Sequence, residues 1–154
     1  SEIGVDYRKL QKLLQEKDWE AADQETYQVI KQVLDGQLSS EALSEALINF
    51  PCVDLISIDR LWVTYSDGKF GFSVQKEIYL SCGGIADGKY YEDALKEFGD
   101  AVGWRSGFSW KFNINKMGDG PFGHLPSWGW RLMAEMGSTR ATRLIFARIQ
   151  ACNL

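Results

Sequence analysis

Residues 50–79, Phe50 to Tyr79, read FPCVDLISIDRLWVTYSDGKFGFSVQKEIY. Leu55, Ile58, Leu61, Trp62 and Tyr65 recur at helical spacing, which predicts a helix with one buried face. Asp54 is placed to cap it. Ser66-Asp67-Gly68 is a stop signal. Phe70 and Phe72 then fall in a short connection, and Ser73 starts a further helix carrying Val74 and Ile78. The stretch is dense in aliphatic and aromatic side chains but holds no nucleophile–base pair. Such a segment builds the wall of a pocket, not a catalytic centre.

Working outward, the same periodicity recurs on both sides. Tyr7, Leu10, Leu13 and Leu14 share a face from Asp6 to about Gln15. Asp18 caps a second helix running to Leu34, with Ala22, Thr26, Val29, Ile30 and Val33 as its apolar stripe and Gly36 as its C-cap. Residues 6–34 therefore form an antiparallel helix pair. Ser39 or Ser40 caps a third helix to about Ile48, which Asn49-Phe50-Pro51 breaks. Tyr91, Ala94, Leu95, Phe98 and Val102 mark a helix over 90–101. A short helix follows over 127–136. Ser138 caps the last one, with Ala141, Leu144, Ile145 and Ile149 inward. No segment sustains period-2 alternation, so the reading is one all-α domain over residues 1–154.

Residues 103–126 are the anomaly: 24 residues with five glycines and two prolines, carrying Trp104, Phe108, Trp110, Phe112 and Phe122. Long irregular segments in compact domains are usually functional. These aromatics either pack on the body or cover a ligand, as a flap would.

The chain has 154 residues, a net charge of −4 and six Trp. Residues 1–102 carry 10 Lys and Arg against 19 Asp and Glu, whereas residues 103–154 carry 7 against 2. A basic last third suits anionic groups, and its cations are mostly Arg, which favours bidentate carboxylate contacts. An acidic chain without a dense basic cluster argues against nucleic acid. No apolar run of about 18 residues exists to span a membrane, no signal peptide is visible, and a chain that opens at Ser1 without Met is expected to be a mature, processed or excised piece. Cys52, Cys82 and Cys152 are odd in number and far apart, so neither a disulfide framework nor a metal site is expected, and a reducing compartment is.

Walker, GxGxxG and HExxH motifs are absent. His124, in Gly-His-Leu-Pro, reads as a turn residue bonding backbone and is not assigned as a metal ligand. Asp54 and Asp59, five apart, do not face one another on a helix. Arg140 and Arg143, three apart, do share a face. A flat apolar macrocycle bearing two carboxylates is one ligand that fits aromatic walls with a rim of Arg. Other amphipathic anions, or a partner's helix, fit as well.

Several words of the sequence carry a specific likeness. Phe50-Pro51, Asp54-Leu55, Ile58-Asp59 and Leu61-Trp62-Val63 come in order, followed by Tyr65-Ser66-Asp67-Gly68-Lys69-Phe70-Gly71-Phe72-Ser73-Val74-Gln75. Gly99-Asp100, Gly103-Trp104-Arg105 and Gly123-His124-Leu125-Pro126 are later landmarks, and Trp19-Glu20-Ala21-Ala22-Asp23 an earlier one. Over about residues 6–150 the chain resembles the tetrapyrrole-binding domain of the genomes-uncoupled regulators.

The resemblance implies an all-α, cupped-hand domain with a hydrophobic palm. It implies non-catalytic binding of protoporphyrin IX and Mg-protoporphyrin IX, with bilins as an alternative, and no structural metal. The partner it implies is the large porphyrin-binding subunit of magnesium chelatase, stimulated at the entry to chlorophyll biosynthesis. Val63 and Phe72 match palm positions, and Arg140 and Arg143 the propionate-facing arginines. Trp110, Phe112, Phe122, Trp128 and Trp130 are carried over as palm and flap aromatics. The expected setting is a cyanobacterial cytoplasm or a chloroplast stroma, for a monomer with peripheral membrane association open to it. Many cyanobacterial members carry an extra N-terminal helical domain, so the chain is expected to be a core-only member or one from which that part was removed. The rival readings are a bilin sensor, a paralogue without chelatase activation, and a helical interaction module docking through residues 6–34.

Overall fold

Trp62 is fully buried, and its indole N–H donates to Thr26 Oγ1 at 2.8 Å. That bond locks the segment read first to the helix pair that precedes it. The structure, a computed structural model, describes residues 1, 3–35 and 39–154. α1 (Arg8–Gln15) turns back through Lys17, at φ 56°, onto α2 (Trp19–Val33). Asp18 caps α2 by accepting from the Ala21 N–H at 3.3 Å. Gly36, expected as its C-cap, lies outside the described residues. α3 (Ser40–Ile48) is capped by the Ser39 hydroxyl. α4 (Cys52–Tyr65), α5 (Phe72–Ser81), α6 (Glu92–Ala101), α7 (Trp128–Met136) and α8 (Arg140–Ala151) follow. α8 is the hub, packing on α3, α4, α5 and α7.

Two aromatic nuclei make the core. Trp19, Trp62 and Phe70 meet at centroid distances of 5.4–6.2 Å. Tyr79, Phe98, Trp104 and Phe146 form the other, at 5.1–6.0 Å, joining α5, α6 and α8. Most of these contacts are edge-to-face, the arrangement that the ring quadrupole favours.

The connection between α4 and α5 shows why its sequence is so particular. Gly71 sits at φ 138°, and a Cβ there would lie 2.7 Å from Val63 Cγ2 and 3.0 Å from Asp59 Oδ1. Its N–H donates to the Leu125 carbonyl at 3.1 Å, while the Gln75 amide donates to the Gly123 and Pro126 carbonyls at 3.0 and 2.8 Å. The end of the long 103–126 segment is thereby sewn onto α5.

Five expectations are corrected. α4 starts at Cys52 with Pro51 at its N-cap, so Asp54 does not cap it. Asp54 is instead fully buried in the first turn, where the Tyr7 hydroxyl donates to it at 2.5 Å. Phe72 is not in the connection; it opens α5. Residues 103–126 are not wholly irregular, because β1 (Arg105–Ser106) and β2 (Ser109–Trp110) pair antiparallel across a Gly107-Phe108 turn. Strands of two residues are too short to leave an alternating pattern. Cys52 and Cys152 form a disulfide across a Cα–Cα distance of 5.5 Å, leaving Cys82 free. The expectation of unpaired cysteines therefore fails, and with it the basis for inferring a reducing compartment. The last N-cap shifts by one residue: Thr139 holds the position, and the Ser138 hydroxyl accepts from the Arg140 N–H at 3.1 Å.

Candidate functional site

α7 is anchored at its N-cap, Ser127. Asp23, buried on α2, accepts from the Ser127 N–H at 2.7 Å and from the Ser127 hydroxyl at 2.5 Å. Lys116 reaches the same carboxylate at 3.3 Å, with its ammonium 5.6 Å from the centre of the Trp130 ring. A buried carboxylate is tolerated where it is paired and bonded in this way. Trp130 is thereby fixed, and its indole N–H donates to the Lys111 carbonyl at 3.0 Å. The Lys111 N–H in turn donates to the Trp104 carbonyl at 2.8 Å. Residues 110–112 are so held opposite α7.

Between them runs a groove of about 260 Å³, walled by Trp110, Phe112, Trp130 and Met133, with Lys111 and Thr139 at its edges. Trp110 lies this close to α6 because residue 99 is glycine: a Cβ there would stand 2.5 Å from the indole. Ser138 is shared with a second cavity of about 170 Å³, lined by Leu43, Leu47, Met136 and Arg140. Each cavity alone is smaller than the roughly 300 Å³ lower bound of pockets for drug-sized ligands. Phe112 is 94% exposed, a large ring left in water at the mouth of the groove.

The structure thus brings together Trp110, Phe112 and Trp130. Phe72 and Trp128 are buried core residues meeting edge-to-face at 6.4 Å. Val63 is half-buried beside Gly71. Phe122 opens onto a different, shallow surface with Val74 and Ile78. Arg140 is exposed on the smaller cavity. Arg143 is engaged elsewhere: it donates from NH1 to the Gly88 carbonyl at 2.8 Å and from Nε to Thr139 Oγ1 at 3.2 Å, and lies 5.4 Å from the Tyr90 ring centre. Beneath Gly84 the buried Tyr79 hydroxyl has its pKa pushed up by burial and then by Asp87, with Arg143 opposing.

His124 is buried, with Nδ1 2.6 Å from the Val102 carbonyl and Nε2 2.6 Å from that of Asn115. Both ring nitrogens are spent on backbone, as a turn residue's would be. Among the described residues no cluster of His, Cys, Asp or Glu is arranged to hold a metal, and no helix is long and apolar enough to cross a membrane. Sequence reading missed Lys111, Met133, Ser138 and Thr139. Met133 was findable, three residues after Trp130 on the same helical face, and Lys111 stands between two aromatics it had already singled out.

A family model described as GUN4-like matches residues 1–140. The chain belongs to the GUN4-like family. It is similar to a Ycf53-like protein of Synechocystis sp. (strain ATCC 27184 / PCC 6803 / Kazusa), 32% identical over 130 residues, which are 80% of this chain and 51% of that protein. It is also similar to the chloroplastic tetrapyrrole-binding protein of Arabidopsis thaliana, 35% identical over 77 residues, 46% of this chain and 28% of that one. The chain spans about half the length of the Ycf53 relatives it matches. The fold matches GUN4 of Chlamydomonas reinhardtii with a TM-score of 0.68 at 24% identity, over 93% of this chain and 88% of that one. Ligand-free Arabidopsis thaliana GUN4 matches with a TM-score of 0.64 at 23% identity, over 94% and 93%. The all-α GUN4 fold anticipated from the sequence is therefore the fold of this chain.

Proposed function

We propose that this chain is a non-catalytic tetrapyrrole-binding module whose ligand lies in the groove between residues 110–112 and α7. The observation that carries this reading is the convergence of Trp110, Phe112 and Trp130, with Met133, on one cleft that Lys111 also lines, in a chain of the GUN4-like family. Apolar burial at about 25 cal/mol per Å² drives binding of a flat macrocycle, offset by the cost of association. Offset stacking on the indoles adds to it. The macrocycle's carboxylates meet basic side chains at the rim. The family resemblance gives this role to Arg140 and Arg143, of which Arg140 stands open on the adjoining cavity.

The ligands proposed are protoporphyrin IX and Mg-protoporphyrin IX. The consequence proposed is activation of magnesium chelatase through its large porphyrin-binding subunit in chlorophyll biosynthesis, in a cyanobacterial cytoplasm or a chloroplast stroma. A magnesium porphyrin would bring its own metal, a hard ion that would prefer an oxygen donor such as water to a side-chain nitrogen. His124, with both ring nitrogens on carbonyls, is not called on.

The test is a titration of Trp emission with a soluble protoporphyrin analogue, its magnesium form and a bilin in parallel. Saturable quenching at micromolar or tighter concentration supports the module, and the ranking of the three separates a porphyrin site from a bilin site. No saturable quenching with any of them overturns it.

A further inference from the structure

Lys111 lines the cleft, three further basic side chains, Lys116, Arg140 and Arg143, belong to residues that contact its lining, and the structure puts the four to different uses. Lys116 is paired with Asp23 and lies over Trp130. The Arg143 guanidinium is held by the Gly88 carbonyl and by Thr139. Arg140 faces the smaller, neighbouring cavity. Lys111 alone of the four lines the main groove with its side chain exposed and no salt bridge to any described residue. Its backbone is fixed at both ends, N–H to the Trp104 carbonyl and carbonyl to the Trp130 indole, so its stem leaves the chain from a fixed point between Trp110 and Phe112.

We propose that Lys111 is the carboxylate contact of the main groove and sets its preference for acidic over neutral tetrapyrroles, in the place that Arg143, engaged elsewhere, does not fill. This rests on the tetrapyrrole reading above. A lysine is a compact, flexible point charge. It follows a carboxylate on a ring that can settle at more than one tilt, where a bidentate Arg demands a single geometry. The hydroxyls of Ser138 and Thr139 across the cleft supply further donors.

The experiment compares two probes on the whole chain: a dicarboxylic porphyrin, and the same porphyrin with both carboxylates capped as neutral, hydroxyl-bearing amides. Affinities are read by Trp quenching for wild type, K111Q and R143Q. K111Q is expected to weaken the acid by about three- to fivefold, the range of an exposed ion pair, and to leave the amide unchanged. R143Q is expected to keep the wild-type acid-to-amide ratio. Lys111 is exposed and, among the described residues, bonds only through its backbone, so K111Q keeps the fold, and a circular dichroism melt checks this. An unchanged ratio in K111Q with binding intact in wild type overturns the role of Lys111 alone. Absence of binding of either probe to wild type overturns the tetrapyrrole reading, and this inference with it.

Discussion

Thr26 is one hydroxyl joining two helices: it donates to the Ala22 carbonyl at 2.8 Å and accepts from the Trp62 indole N–H at 2.8 Å. Thr26→Val keeps the shape but leaves that N–H buried without a partner, which costs about 1–3 kcal/mol. A urea unfolding curve should lose that much, and an unchanged midpoint would mean that the indole finds another acceptor. Asp59 makes a pH-dependent case. It is buried, and burial raises its pKa above the ordinary 3.8 although the Ser73 N–H donates to it at 2.8 Å. A raised folded-state value means that its contribution to stability is fully present below the unfolded value and is lost as pH rises through the folded one. Asp59→Asn retains an acceptor for Ser73 and removes the titration. The melting temperature of the variant minus that of wild type should therefore grow as pH rises above the ordinary 3.8; a flat or shrinking difference would contradict it. At this scale the sequence offered Trp110, Phe112, Phe122, Trp128 and Trp130 alike as large rings, and only the packing separates the three that line the groove from the buried Trp128 and from Phe122, which opens elsewhere. It did not show that Arg143 is taken, because Gly88 and Tyr90 lie over fifty residues away along the chain.

Helices were legible as elements because a buried stripe at i, i+3, i+4 is written into the chain, and the Asp18 and Ser39 caps fell where the hydroxyl and carboxylate chemistry put them. Asp54 misled because the same carboxylate that suits an N-cap also suits a first turn, where the helix dipole favours it, and its partner Tyr7 is 47 residues distant. The hairpin at Arg105–Trp110 left no trace, being two residues a side. What makes the 103–126 segment ordered is tertiary: His124 spans from Val102 to Asn115, and the Trp104 indole N–H donates to the His124 carbonyl at 2.9 Å. A Cβ on Gly120 or Gly103 would meet the imidazole at 2.6 or 3.0 Å, so the ring is tightly cradled. His124→Ala removes both side-chain ties at once while touching no helix. Limited proteolysis should then nick residues 104–121 several-fold faster, with the helical circular dichroism retained, since loop opening governs such cleavage. Equal cleavage rates would show that the aromatic packing alone holds the segment.

The charge asymmetry of the sequence resolves, in the whole molecule, into a basic last third fastened onto an acidic front. Lys116 pairs with Asp23, Arg105 with Asp100 at 3.1 Å, Arg131 lies 3.6 Å from the centre of the Tyr27 ring, and Arg148 donates from Nε to the Phe50 carbonyl at 2.7 Å. Lys111 and Arg140 are left facing the two cavities. The Arg148 bond falls two residues from Cys52, where the disulfide to Cys152 crosses 100 residues of chain. Nothing in the spacing of three cysteines identifies that pair; only the packing of α8 on α4 brings the two together. Closing a loop of that length removes, in the chain-entropy account, about 4–5 kcal/mol from the unfolded ensemble, which for a domain of this size corresponds to roughly 10 °C of melting temperature. Unreduced protein, denatured and titrated with a thiol reagent, should show the single thiol of Cys82, and reduced protein all three. Reduction should lower the melting temperature of wild type by about that amount and leave Cys152→Ser unmoved, because the variant has no crosslink to lose. Three reactive thiols before reduction would remove the crosslink from the native molecule, and the Arg148–Phe50 tie would then hold the two chain segments without it.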